Sequence, residues 1–156
     1  MRATCALAST VLVGALLTSP AMAADVYGVW LTEAKSAHVE VYKCPDTTRG
    51  PVCGRIVHLL NPKGADGKPV KPEEAVDHRN PDANLRTRKV LQMVFLYDFK
   101  PASAANSFED GAIYSAEDGK TYKANLSLQA DDTLRLRGYV GAPILGKTQI
   151  WTRVKQ

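Results

Sequence analysis

The sequence predicts an all-β protein: about eight short antiparallel strands, joined up and down into a closed or nearly closed barrel, with one long loop. Three observations carry this. Apolar and polar residues alternate through most of the chain, and no long stripe of helical period occurs. The alternating runs are separated by short turn-forming clusters, among them Glu117-Asp118-Gly119-Lys120, whose Asp-Gly pair suits positive φ. A single stretch, Asn61 to Lys89, breaks the rhythm with Pro62, Gly64, Gly67, Pro69, Pro72 and Pro81.

Taken in order, Val26 to Thr32 is the first predicted strand. His38 to Cys44 is the second, with Val39 and Val41 on one face and Glu40 and Tyr42 on the other. Val52 to Leu60 is the third. The long interruption follows, and in it Pro72-Glu73-Glu74-Ala75 has the composition of one helical turn. Val90 to Phe99 is the fourth strand, with Leu91, Met93, Phe95, Tyr97 and Phe99 expected on one side. Phe108 to Tyr114, Thr121 to Leu128, Thr133 to Val140 and Thr148 to Val154 complete the set, the later ones as a meander of hairpins. Closure of such a set removes exposed strand edges. An eight-stranded barrel is just wide enough to be filled by its side chains or to hold one small ligand.

The ends of the chain define a compartment. Arg2 precedes a short apolar run, Cys5 to Leu17, which Pro20 breaks before the small-x-small sequence Ala21-Met22-Ala23. This is the pattern of a secretory signal peptide cleaved after Ala23. The run is shorter than the roughly 20 apolar residues a membrane-spanning helix needs, and no later segment approaches that length. The expected organisation is a signal peptide, 1–23, and one β-barrel domain, 24–156, exported to the periplasm or secreted. Loss of Arg2 with the leader leaves 19 basic against 16 acidic groups, a net +3. The basic residues form no stripe with interleaved aromatics, so nucleic acid is not an expected partner.

Cys5 leaves with the leader, and Cys44 and Cys53 remain as an even pair. In an oxidising compartment a disulfide is the default, closing a turn-rich loop and contributing about 2–3 kcal/mol in the chain-entropy model. The sharper alternative is a redox-active pair, but eight intervening residues are not a C-x-x-C motif.

Gly28-Val29-Trp30 near the start and Trp151-Thr152-Arg153 near the end resemble the signature of lipocalin-like, or calycin-type, barrels. The resemblance implies that first and last strands meet and that the Arg153 guanidinium lies across the Trp30 indole as a structural latch. Such a contact gives roughly 0.5–2 kcal/mol. The plainer reading makes Trp30 an ordinary core aromatic. A wider likeness runs through Val39 to Cys44, Cys53 to Val57, Asp77 to Asp82, Leu85 to Arg88, Gly111 to Tyr114, Asp118 to Tyr122, Arg137 to Gly141 and Gly146 to Arg153. These segments are similar to the exported bacterial family catalogued as domain of unknown function 2147. Lys89-Val90-Leu91-Gln92 departs from its pattern, which tends toward Pro and Gly there. The resemblance implies an envelope protein with paired cysteines and carries over no activity.

The densest polar cluster is Asp77, His78, Arg79, Asn80, Asp82, Asn84, Arg86 and Arg88, expected at one mouth of the barrel. Two readings stand. Asp77, His78, Arg79, Asn80, Arg86 and Arg88 form an anion or carboxylate site with forked arginine donors. Alternatively, Asp–Arg pairs and Asn hydrogen bonds organise a polar plug over the barrel end. His78 beside Asp77 lacks a nucleophile in a telling context, so no catalytic residue is assigned. His38 and His58 have no metal-ligand spacing, and neither a metal nor a cofactor is expected. The apolar turn Ala142-Pro143-Ile144-Leu145 is expected to fold over a barrel end, with lipid or partner contact as the alternative. Functionally, a binder of a small amphipathic or anionic molecule ranks first. An envelope structural or assembly factor with a filled barrel, meeting a protein or peptidoglycan, ranks second, and a hydrolase last.

Overall fold

The computed structural model describes residues 25–155. The predicted leader, its cleavage point and the terminal Gln156 lie outside the described residues. Among the described residues nine strands form: β1 (Gly28–Leu31), β2 (Ala37–Lys43), β3 (Val52–Leu59), β4 (Val94–Tyr97), β5 (Lys100–Pro101), β6 (Ser107–Ser115), β7 (Lys120–Leu128), β8 (Thr133–Tyr139) and β9 (Lys147–Arg153). Their order is β4-β3-β2-β1-β9-β8-β7-β6-β5, and β4 pairs back onto β6. All pairings are antiparallel. The result is a closed eight-stranded up-and-down barrel, with the two-residue β5 added on the far end of β6.

The closing seam is β1 with β9, where Trp30 stands opposite Arg153 and Leu31 opposite Thr152. The Arg153 guanidinium carbon lies 4.1 Å from the centroid of the buried Trp30 ring. Its nitrogens are all engaged: Nε on Asp132, and the two terminal nitrogens on the Tyr27 and Asp25 carbonyls at 2.8 and 2.7 Å. The hydrogen bond from Arg153 holds the Asp132 carboxyl below its ordinary range. The first residue of Gly28-Val29-Trp30 has φ 134°, and a Cβ there would sit 2.8 Å from an Arg153 nitrogen. Only glycine leaves room for the cation to reach the indole.

Cys44 and Cys53 form a disulfide across the β2–β3 hairpin. That hairpin, the Asp132 turn and residues 25–27 crowd one end of the barrel. Inward side chains there, among them Val41, Leu96, Leu126, Leu134 and Trp30, are fully buried and fill the interior.

The fourth strand differs from its prediction in two ways. It starts at Val94 rather than Val90, because Gln92 adopts φ 67° and the Met93 amide turns back to the Val90 carbonyl. It is also bulged: Gly54 pairs with Leu96 while Arg55 pairs with Val94, so Phe95 is an extra residue. A bulge of this kind breaks the two-residue period. Phe95 and Leu96 therefore both point inward and are buried, and Tyr97 shifts to the outer face, with the Arg49 guanidinium 4.3 Å from its ring centroid. The predicted helical turn is present as a 3-10 turn, Pro72–Glu74, with a second at Ala83–Leu85.

Candidate functional site

Four connections meet at the end opposite the disulfide: residues 32–36, 60–93, 116–119 and 140–146. The barrel opens there. Alternation places Ala37, Val39 and Ile56 inward on β2 and β3, Ile113 and Ser115 on β6, and Lys147, Gln149 and Trp151 on β9. Together with Met93 and Phe95 these residues line a cavity of about 940 Å³, open to solvent at the mouth. A smaller recess of about 350 Å³ adjoins it and shares Ile113, Ser115, Lys147 and Gln149. The floor is apolar, and the polar groups are gathered at the rim.

The long loop supplies one wall of this mouth, and the predicted polar cluster is what anchors it. Asp77 is 0% exposed. Its Oδ2 accepts from Arg88 at 2.6 Å and from the Asn80 amide at 2.7 Å, and its Oδ1 accepts from the Tyr114 hydroxyl at 2.7 Å. The backbone joins the same network: the Asp77 amide donates to the Arg88 carbonyl at 2.9 Å, and Val76 bridges to Lys89. Arg86 Nε donates to the Asn80 carbonyl at 2.9 Å. Tyr114 points out of the barrel from β6, yet it is buried because this loop covers it.

Of the six residues proposed as a rim site, only His78 and Arg79 line the cavity. Asp77, Asn80, Arg86 and Arg88 are instead bonded within the loop, and Asp77 and Asn80 also to Tyr114 of β6. Arg79 lines the rim while donating to the Glu117 carbonyl at 2.7 Å, tying the loop to the β6–β7 hairpin. Gly119 of that hairpin has φ 71° and passes so close that a Cβ would lie 2.0 Å from the Arg79 carbonyl oxygen. The Asp-Gly pair thus makes the turn and lets the loop pack on it. Arg88 Nε is buried without a hydrogen-bond partner among the described residues, while Arg88 Nη2 carries the Asp77 contact.

Burial, followed by the hydrogen bond to the Asp77 carboxylate and that carboxylate's charge, pushes the Tyr114 phenol up to about 12. Its protonated form is the one the fold stabilises. The contribution is therefore complete below pH 10, the ordinary value, and disappears as pH rises through about 12. Tyr114→Phe is expected to be about 1 kcal/mol less stable than wild type at neutral pH. That gap should close on approaching pH 12, which urea midpoints measured along the alkaline range would read.

Sequence reasoning overlooked the residues that face the cavity most directly. Lys147, Gln149 and Trp151 recur every second residue on β9, so they share the inner face. Trp151 Nε1 donates to Gln149 Oε1 at 2.9 Å, which satisfies the indole and fixes the amide. The Lys147 ammonium has no ion-pair or hydrogen-bond partner among the described residues. The signal was present as a lysine in register with a buried tryptophan, but a terminal strand position reads as solvent-facing without knowledge of the mouth. Among the described residues no group of three or more His, Cys, Asp or Glu could hold a metal ion. His38 and His58 form a cross-strand pair, with ring centroids 5.4 Å apart.

A closed antiparallel barrel, filled at one end and hollow at the other, with its first and last strands latched by Arg on Trp, defines a lipocalin-like protein. The fold is similar to a solved structure described as protein HP1028 from the human pathogen Helicobacter pylori, which belongs to the lipocalin family. The TM-score is 0.67 at 25% sequence identity over 85% of each chain. The chain itself belongs to the family described as "Uncharacterized protein conserved in bacteria (DUF2147)", matched over residues 28–153. No curated protein matches it. No helix among the described residues is long and apolar enough to cross a membrane.

Proposed function

We propose that this protein is exported, loses residues 1–23, and binds a small amphipathic anion in the periplasm. The observation that carries the reading is the cavity of about 940 Å³, with an apolar floor and a rim where Lys63, Arg79 and Lys147 outnumber Asp66 and Glu117. Its size falls at the upper end of the roughly 300–1,000 Å³ usual for small-molecule sites. An apolar body fits between Val39, Ile56, Met93, Phe95 and Trp151, where it loses water contact. The anionic group then meets Lys147, an unpartnered cation on the inner face of β9, and the free side of the Gln149 amide. Arg79 and His78 stand at the rim beyond them. The Asp77 network serves this site by holding its wall, and takes no direct part in binding. The disulfide fits an oxidising compartment, in agreement with the leader pattern.

The direct test is native mass spectrometry of protein purified from the periplasm of cells expressing the full chain, then denaturing extraction of whatever it carries. One stoichiometric small molecule with an acidic group and an apolar portion is the expected result. A bound peptide or glycan fragment would replace this reading with that of an envelope assembly factor. So would persistence of the bare protein mass when acidic amphiphiles are added in excess.

A further inference from the structure

The connection between β8 and β9, residues 140–146, exposes more apolar surface than a turn requires. Val140, Ile144 and Leu145 are 70%, 83% and 79% exposed, far more than any other large apolar side chain among the described residues. The expectation that this tip folds over the barrel end is not met. Nor is the loop loosely held. Residues Pro143–Leu145 form a 3-10 turn, and the Leu145 and Gly146 amides bond back to the Ala142 and Pro143 carbonyls. Arg137 reaches from the outer face of β8 and donates to the carbonyls of Pro143 at 2.6 Å and Ile144 at 3.1 Å, and to Thr148 Oγ1 at 2.7 Å. An ordered support therefore presents these apolar side chains to water.

The charges that flank them along the chain are cations. From Thr133 to Gln156 the chain contains no Asp or Glu, but it contains Arg135, Arg137, Lys147, Arg153 and Lys155. Arg137 and Lys147 flank the loop itself. Two acids stand near this run at the mouth: Glu33 of the 32–36 connection, which accepts from the Ile150 amide at 2.7 Å, and Asp118 of the β6–β7 hairpin, which accepts from the Tyr122 hydroxyl and the Lys120 amide. Apolar side chains on a rigid tip, backed by cations, complement a surface that is anionic outside and apolar just beneath. A pocket on a protein partner would accommodate the apolar side chains but gives no reason for a cation on each side of them.

We infer that residues 140–146 dock the mouth of the barrel onto an anionic phospholipid surface, with Ile144 and Leu145 entering the interface and Lys147 and Arg137 at the headgroups. Residues 140–146 line no part of the cavity, which shares only Lys147 with this surface, and the docking stands whether or not the cavity is occupied. The experiment is co-sedimentation of the protein, purified from the periplasm of cells expressing the full chain, with phosphatidylcholine vesicles made with and without phosphatidylglycerol. Binding is expected only with phosphatidylglycerol present and should weaken as salt rises. The double substitution Ile144→Ser, Leu145→Ser should reduce it about tenfold or more, because it removes the buried apolar area. Its thermal unfolding should match wild type, since neither side chain is packed. Three results overturn the inference. The first is absence from the anionic vesicle pellet. The second is equal binding by the double variant, which assigns attachment to surface charge alone. The third is a wild-type dimer in sedimentation velocity that the double substitution dissolves, which gives the loop to a second copy of the chain.

Discussion

Asp77→Ala is expected to destabilise the protein by about 3 kcal/mol, the largest effect of any single polar substitution in the loop. The carboxylate is completely buried and receives hydrogen bonds from Arg88, Asn80 and Tyr114. Removing it leaves three donors facing a void from which water is largely excluded. The partly exposed Arg88 regains some hydration, which keeps the cost near the lower end of the range for breaking a buried pair. For a chain of this size the loss corresponds to a drop of about 10 °C in Tm, read by circular dichroism or calorimetry. Asp77→Asn should cost less, because one oxygen still accepts from Tyr114. A functional consequence follows from the same contacts. Val76, His78 and Arg79 form part of the cavity wall and are held there by Asp77. The Ala variant should therefore retain bound molecules poorly even well below its Tm. Wild-type stability in Asp77→Ala would show that the loop is anchored by its apolar contacts instead.

The second large effect is expected at Lys147. Lys147→Glu replaces the unpartnered β9 cation at the cavity with an anion and leaves the apolar floor intact. Affinity for an anionic amphiphile such as anilinonaphthalene sulfonate should fall by about tenfold to a hundredfold, the range for losing one charge-assisted contact. A neutral fluorophore of similar size should bind almost as before. Titration of the two probes by fluorescence separates charge recognition from simple apolar partition. Equal loss for both would mean that the substitution damaged the cavity, and no loss for either would place the binding elsewhere. Lys147 also flanks the lipid-docking loop, so these titrations are made without vesicles.

The strand pattern and the polar cluster illustrate how far one-dimensional reading extends. Alternation located eight barrel strands to within a few residues, because a strand with one wet and one dry face repeats every second residue. It failed at β4. There one extra residue, Phe95, moves Leu96 and Tyr97 to the opposite faces, and nothing in Val94-Phe95-Leu96-Tyr97 distinguishes the bulged register from the regular one. The polar cluster was located at a mouth, with both a plug and an anion site left open. The geometry of Asp77, Asn80, Arg88 and Tyr114 has the form of the plug. The deciding partner, Tyr114, lies 37 residues from Asp77 and carries no mark of that contact in its local sequence.

By itself, then, the sequence determined the all-β class, the strand order along the chain, the pairing of Cys44 with Cys53 as the default, and the family. Each depends on short-range chemistry: two-residue periodicity, turn residues, paired thiols and motif order. Only the tertiary structure decided that the interior is packed around Trp30 and hollow above Trp151. It also decided that Lys147 faces the hollow and that Ile144 and Leu145 face water. Alternation tells which face of a strand is dry, but the volume left between dry faces is set by eight strands at once. Its contributors, from Val39 on β2 to Trp151 on β9, lie more than a hundred residues apart.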